Sequence, residues 1–293
     1  EVNAAFGARF MDEIEHVVVF PGAASTLATL RDRGIRLLGP AIGDQACGET
    51  GPGRMVEPDD IAAAMLAAPQ WLAPRLLAGR RVVVTAGPTR EPIDPVRYIT
   101  NRSSGKMGYA VAVAAAEAGA DVTLVSGPVS LDAPAGIRRV LVETAEEMLQ
   151  ESLAAAEGAD IFVGCAAVSD YRPPSAATEK IKRSDAEISL SLVRSPDTLA
   201  AVAALPDGPF TVGFAAETDD LLENARLKLE RKGCDWVVAN DVGPGSGTFG
   251  GDRNAVSLVT PGEVETWPEM DKREVAHRLV ERIVRAVTDI PTG

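Results

Sequence analysis

The sequence predicts an α/β fold built on a doubly wound, mainly parallel sheet, with a short N-terminal appendage. Two observations carry this expectation. Short, near-continuous apolar runs rich in Val, Ile and Phe alternate with alanine-rich or amphipathic stretches of helical length, the pattern of strands buried on both faces. The composition also shifts near Gly79, from alanine-rich helical text and a Gly/Pro-rich loop to regular strand–helix alternation.

Each element has its own reason. Before Gly79, Ala23–Asp32 reads as a helix and Ile35–Leu38 as a short buried strand. The Gly/Pro-rich segment Gly39–Pro58 reads as a loop, and two alanine-rich helices follow to about Leu77. Residues 1–78 are therefore assigned to the appendage and 79–293 to the principal domain. There, Arg81–Ala86 (RVVVTA) is a β-branched run and thus a strand; Gly105–Ala118 is helical and Asp121–Ser126 a second strand. Arg139–Glu143 is a third strand. Thr144 and Glu147 then form a capping box that opens a helix to about Ala156. Asp160–Cys165, Phe210–Phe214 and Trp236–Ala239 are further strands, the last two flanking a helix over Asp220–Lys232, and Asp271–Val287 is the final helix. This alternation is Rossmann-like, and such sheets bind ligands outside the carboxyl ends of their strands.

Bulk properties exclude several functions. The formal net charge of −13 over 293 residues argues against nucleic-acid or anionic-membrane binding, since both reward excess cations. An anion site must then be made locally by a few lysines and backbone N–H groups. The three cysteines, Cys47, Cys165 and Cys234, are far apart and indicate a reducing compartment. Two histidines make a multi-histidine metal site implausible. No apolar run approaches the roughly 20 residues that span a bilayer, and no signal-peptide pattern is seen; a cytoplasmic protein is expected.

Four segments carry candidate chemistry. In TAGPTREPIDPVRYITNRSSGKMG (Thr85–Gly108) the connection from Gly87 to Ser104 far exceeds an ordinary βα loop. It holds neither a GxGxxG fingerprint nor a Walker spacing. Ser103, Ser104 and Gly105 place hydroxyls and free N–H groups at a helix mouth, which suits phosphate or carboxylate; a serine N-cap beside solvated cations explains one serine equally well. In GCAAVSDYRPPSAATEKIKR (Gly164–Arg183) a strand ends in small residues, then come Asp170 and the cationic string Lys180 to Arg183. The string can neutralise a polyphosphate, although a solvated basic loop is its commoner meaning. In Phe214–Asp235, Lys228 and Lys232 share one helix face, where Glu223 or Glu230 can pair with them. Phe214 can be core or a stacking platform. Cys47, in a glycine-rich loop, is a reactive thiol only if its environment lowers its pKa.

Taken together these segments resemble the family of coenzyme A biosynthesis proteins that join phosphopantothenoylcysteine decarboxylase to phosphopantothenate–cysteine ligase (phosphopantothenoylcysteine synthetase). The ligase resemblance runs from about Gly79 to the C-terminus, through the two segments above plus VTLVSGPVSL, EKIKR and VGFAAET in the family's order. The resemblance implies that 4′-phosphopantothenate attacks CTP to give an acyl-cytidylate and pyrophosphate, and that L-cysteine then displaces CMP. Mg²⁺ would accompany the nucleotide, with no dedicated protein metal ligands assigned, and the enzyme would be a homodimer. Carried over position by position, Asn101 would bind the acyl-cytidylate and Lys180 would contact CTP. Gly164, Cys165, Ala166, Asp170, Pro196, Asp197, Thr198, Leu199 and Phe214 would line the nucleotide pocket, and Lys228 and Lys232 would meet phosphates. Ser103, Ser104 and Gly105 would form the phosphopantothenate end.

Departures from the family pattern are few in the ligase part: Arg183 stands where lysine is usual, and Ser195 opens a turn usually written Asn-Pro-Asp. Before Gly79 only the end of the decarboxylase is matched. Cys47 corresponds to its proton donor, but the flavin-binding half and the Pro-x-Met-Asn motif have no counterpart, so neither FMN binding nor decarboxylation is expected of this chain. Two alternatives compete with the ligase: an NAD(P)-dependent Rossmann reductase, which predicts a glycine fingerprint that is missing, and a catalytically silent ligase-like scaffold, which need not keep Asn101, Asp170 and Lys180 together.

Overall fold

In the computed structural model the described residues are 41–44, 50–54, 75–183, 188–243 and 251–288. The chain divides into two units, Glu1–Leu72 and Ala73–Gly293. In the first, β1 (Ala41–Asp44) and β2 (Thr50–Arg54) pair antiparallel. The segment expected to be a loop over Gly39–Pro58 therefore contains a ladder. Glycine and proline hide it, because glycine has no side chain to pack and proline no N–H to donate to a ladder. The predicted helix at Ala23–Asp32, strand at Ile35–Leu38, most of the alanine-rich stretches, and Cys47 lie outside the described residues.

The second unit opens with β3 (Arg81–Ala86), followed by a hairpin of β4 (Arg90–Pro92) and β5 (Tyr98–Thr100), and then helix α1 (Lys106–Glu117). Strands β6 (Asp121–Ser126) and β7 (Arg138–Leu141) precede helix α2 (Ala145–Ala156), and β8 (Ile161–Gly164) precedes the small β9–β10 ladder (Tyr171–Arg172 with Val193–Arg194). A six-residue helix α3 (Thr198–Ala203), β11 (Phe210–Glu217), α4 (Leu221–Lys232) and β12 (Trp236–Asp241) follow. The chain ends in β13 (Arg253–Asn254), β14 (Val256–Val259), β15 (Val264–Thr266), β16 (Met270–Asp271) and α5 (Lys272–Val287).

One sheet runs β15-β14-β12-β11-β8-β3-β6-β7. Its six strands from β12 to β7 are all parallel, and β14 closes the other side antiparallel to β12. Within the parallel set the order reverses between β3 and β8, the doubly wound arrangement with its crevice at that reversal. The sequence explains the inner strands: Val82, Val83, Val84 and Ala86 of β3 and Ile161, Phe162 and Val163 of β8 are all buried, so both faces must be apolar. Val82, Val84, Ile161 and Val163 pack with Val111 and Ala115 of α1 and Leu279 and Ile283 of α5. Val83 and Phe162 face Met148 of α2 on the other side.

Local signals hold where they were strong. Thr144 Oγ1 accepts from Glu147 N, and the Glu147 carboxylate accepts from Thr144 N, completing the predicted capping box. Leu77, just before the assigned boundary at Gly79, is buried in the core beside Val82. Strand β14 and the edge strand β15 were not expected from the sequence. They join through the Thr260–Glu263 turn, where Thr260 N donates to Glu263 O.

Gly108 lies where α1 crosses β3. A Cβ there would stand 2.6 Å from Ala86 Cβ and 2.9 Å from Thr85 O. Gly108→Ala is expected to destabilise the unit by about 1–3 kcal/mol, because neither the strand backbone nor the helix can yield cheaply. The check is urea unfolding, with a lower midpoint and an unchanged m-value.

Candidate functional site

The reversal between β3 and β8 is where the sequence-predicted segments meet. Beyond their last residues the two chains stay in register: Ala167 N donates to Gly87 O at 2.9 Å, Thr89 N to Ala167 O at 3.4 Å, and Pro88 bridges Ala167. Side chains tighten the same strip. Thr85 Oγ1 accepts from Ala166 N at 3.1 Å, and Thr89 Oγ1 from Ser169 N at 3.0 Å. Asn101 Nδ2 donates to the carbonyls of Ala167 and Val168, both at 3.1 Å. The β3 loop is thus bolted to the β8 loop, and the exposed Asn101 side chain is fixed over their junction.

The mouth of α1 differs from the serine-cap reading. Its N-cap is Gly105, in the left-handed region at φ 76°, and no side chain caps the helix. Ser103 Oγ instead accepts from Gly105 N at 3.3 Å, within the loop. A left-handed turn there, close against Gly87 and Val129, is what requires glycine. The N–H groups of the first turn consequently have no serine occupying them.

Lys180 is exposed but its loop is not adrift. Buried Asp94 accepts from Val96 N and Arg97 N at 2.8 Å, from the Arg97 guanidinium at 2.6 Å, and from Ile181 N at 3.1 Å. Arg97 also donates to Ile181 O at 2.5 Å, and Ala177 N to Ile93 O at 2.9 Å. Burial by itself raises the Asp94 carboxyl, but these hydrogen bonds outweigh it and hold the group well below the usual carboxylate range. Asp94 and Arg97 were missed in the sequence. The available signal was Asp-Pro-x-Arg, a side-chain-capped turn carrying an i,i+3 ion pair.

The third group converges on β8 and β11. Leu199 of α3 sits on the two strand glycines: a Cβ on Gly213 would meet it at 2.5 Å, and one on Gly164 at 3.4 Å. Asp197 caps α3 through Ala200 N and also pairs with Lys232. Ser195 N donates to Asp170 O at 2.9 Å. Lys228 Nζ donates to Phe214 O at 2.6 Å. Burial chiefly lowers the Lys228 ammonium pKa, with Lys232 adding to this, while Glu217 and Asp170 pull it back up. The shared face of Lys228 and Lys232 is as expected, but their partners are Phe214 and Asp197 rather than Glu223 or Glu230. Phe214 lies inside β11 and packs at the edge of the core.

Cys165 follows β8 directly. Part of the residue is exposed, yet burial pushes its thiol up to about 12, with Lys272 pulling the other way. A thiol raised this far stays protonated near neutral pH. Among the described residues no three His, Cys, Asp or Glu side chains gather as metal ligands, and no helix is long and apolar enough to cross a membrane.

Residues 77–287 match the family model described as the DNA/pantothenate metabolism flavoprotein C-terminal domain. The chain belongs to this family. The coenzyme A biosynthesis bifunctional protein CoaBC of Vibrio vulnificus (strain YJ016) is 47% identical over 88% of this chain and 64% of its own length. The protein of that name from Vibrio cholerae is 52% identical over 79% of this chain and 58% of its own. A crystal structure of the C-terminal domain of such a CoaBC protein superposes with a TM-score of 0.63 at 38% identity, covering 74% of this chain and all of that domain. This chain spans about three-fifths of the length of the curated relatives it matches. The family domain takes in every candidate residue from Asn101 to Lys232; only Cys47 lies outside it.

Two outcomes are expected of this geometry. Iodoacetamide at pH 7–8.5 should leave Cys165 unmodified in the folded protein and label it once unfolded, as read by peptide mass mapping; rapid native labelling would contradict the raised pKa. Asp94→Asn should speed tryptic cleavage at Lys180 to Arg183 by about tenfold, because charge-assisted anchoring of Ile181 is lost. Since the Asp94 pKa is depressed, its contribution is fully present above the unfolded carboxylate value near 4 and is lost as pH falls through the lower folded value. In the wild type, cleavage at this loop should therefore show no Asp94-linked change between pH 5 and 8.

Proposed function

We propose that this chain is a phosphopantothenate–cysteine ligase that uses CTP, joining 4′-phosphopantothenate to L-cysteine through an acyl-cytidylate. The observation that carries the reading is the convergence at the sheet reversal. Asn101 is clamped over the β3–β8 junction, Asp170 lies within the field of Lys228, and Lys232 is held on the α3 cap. The named relatives are coenzyme A biosynthesis proteins, which supports the same reaction class.

In the first step a carboxylate oxygen of phosphopantothenate attacks the α-phosphorus of CTP, the P–O bond to the β-phosphate breaks, and pyrophosphate leaves. Both reactants are anions, so their meeting requires local positive charge. Lys228 and Lys232 supply it from α4, and Lys180 from its anchored loop. Gly164, Cys165 and Ala166 give close backbone approach along the base and sugar, with Pro196, Asp197, Thr198 and Leu199 beside them and Phe214 at the wall. Ser103, Ser104 and Gly105 receive the phosphopantothenate end. In the second step the cysteine amine attacks the acyl carbon and CMP departs with the acyl oxygen. Asn101 acts here, its amide offering a donor and an acceptor to the mixed anhydride.

The donor set fits a Mg²⁺ ion that travels with the nucleotide better than one caged by protein, because Asp170 is a single carboxylate and Mg²⁺ keeps most of its water. Such an ion would offset phosphate charge. The choice of CTP rests on the resemblance of the motifs rather than on any identified base-reading group.

A homodimer accompanies this reading. Tyr171, Ile188, Leu190, Leu192 and Val193 form an apolar group, each 41–57% exposed, along the β9–β10 ladder and the extended segment leading into it. An alternating apolar edge of this kind calls for a second copy.

The deciding assay follows the two half-reactions. Lys180→Ala should reduce phosphopantothenate-dependent pyrophosphate release by about 100-fold or more, the scale of a lost transition-state cation. Asn101→Asp should keep pyrophosphate release and slow cysteine-dependent CMP release. Unchanged rates in both variants overturn these roles. In sedimentation velocity, Leu190→Glu should convert dimer to monomer; a wild-type chain that sediments as a monomer overturns the dimer.

A further inference from the structure

The buried carboxylate of Asp94, in the turn between β4 and β5, works in two directions. Its Oδ1 accepts from Val96 N and Arg97 N, both at 2.8 Å, and closes the turn. Its Oδ2 accepts from Arg97 Nε at 3.0 Å, from Arg97 Nη2 at 2.6 Å and from Ile181 N at 3.1 Å. A turn of this kind needs one side-chain oxygen, which asparagine also supplies. The second oxygen serves a segment 87 residues away.

Arg97 completes the grip. Its Nη2 also donates to Ile181 O at 2.5 Å, so the peptide before Ile181 is held by Asp94 and the peptide after it by Arg97. Upstream, Ala177 N donates to Ile93 O at 2.9 Å. Residues 177–181 form no helix or strand, yet both ends of the stretch are fastened to the β4–β5 turn. Lys180 lies within it and is exposed, so the turn fixes the backbone from which its side chain extends. The same hairpin leads from β5 straight to Asn101, whose amide is clamped on the Ala167 and Val168 carbonyls by bonds that do not involve Asp94.

We infer that Asp94 is a positioning residue for formation of the acyl-cytidylate: it aims Lys180 at the nucleotide and takes no part in the later attack of the cysteine amine. The inference rests on the ligase reading, in which Lys180 serves the first half-reaction and Asn101 the second. Asparagine isolates the role. Asp94→Asn keeps an oxygen for the N–H groups of Val96 and Arg97 but sets an NH₂ where Arg97 and Ile181 point their own donors. The turn is kept and the Lys180 stretch is released.

The test separates the half-reactions in the full chain. With saturating CTP and 4′-phosphopantothenate, single-turnover pyrophosphate release should slow about tenfold in Asp94→Asn, the scale of one lost hydrogen bond to a charged group. With the acyl-cytidylate supplied as substrate, cysteine-dependent CMP release should stay at the wild-type rate. A double-mutant cycle gives the second reading: in the Lys180→Ala background, Asp94→Asn should slow pyrophosphate release by less than about twofold, since no side chain is left to aim. Arg97→Lys loses the fork that joins Asp94 to Ile181 O; it should show the same selectivity, and it replaces Asp94→Asn if that variant does not fold. Unchanged pyrophosphate release, equal slowing of both half-reactions, or the same loss with and without Lys180 overturns the inference while the ligase reading stands. A wild-type chain that releases no pyrophosphate from CTP overturns both.

Discussion

Reversal of strand order between β3 and β8 is the constraint on which the rest of this unit depends. The helices that follow the two strands, α1 and α3, pack on opposite faces of the sheet, while the loops leaving the strands stay paired beyond the strand ends. Apart from Gly164 in β8 and Phe214 in β11, the candidate residues from Asn101 to Lys232 lie on loops or on helices α3 and α4. The strands below are buried on both sides and form a rigid floor. Loops alone would give such a site little precision. Here the β3 and β8 loops are joined by backbone pairing at Pro88–Ala167 and by the Asn101 amide, so they behave as an extension of the sheet.

A second regularity concerns charge. The site's cations are held by the protein's own oxygens: Lys228 by the Phe214 carbonyl, Lys232 by Asp197, and the Lys180 loop through Asp94 and Arg97. Each hold limits rotamer freedom before any ligand arrives, and that freedom is a large part of what a lysine loses on binding. The carboxylates also prevent several like charges from destabilising a crowded corner. On the proposed reading, carbonyls and exposed carboxylates are weak enough partners to yield to, or share with, an entering phosphate.

What the sequence made legible follows interaction range. β3 and β8 were readable because a parallel strand buried on both faces must be apolar throughout, and the Thr144–Glu147 capping box was readable because both partners lie within one turn. The β1–β2 ladder was hidden because its residues signal turns, and β14–β15 because runs of four and three residues are too short to separate from loop. In the site, spacing correctly placed Lys228 and Lys232 on one face. It could not place their partners, since Phe214 and Asp197 are 14 and 35 residues away. The same limit explains why Asp94 was overlooked: its hydrogen bond to Ile181 crosses 87 residues. The α1 mouth misled for a different reason, because serines beside a helix start ordinarily cap it, whereas here the left-handed Gly105 takes that position.

The acidity of the whole chain and the cationic character of its site are compatible for a reason of distance. At physiological ionic strength the Debye length is about 8 Å, so most of the −13 net charge, spread over a 293-residue surface, is screened from any one loop. Close in, Lys228 and Lys232 stand on one face of α4, held on the Phe214 carbonyl and on Asp197. The distant negative surface then does what a net charge does well, keeping copies soluble and polyanions such as nucleic acid away. On the proposed reading, local placement of charge, set by the fold and not by composition, is what would give an acidic protein an anion site.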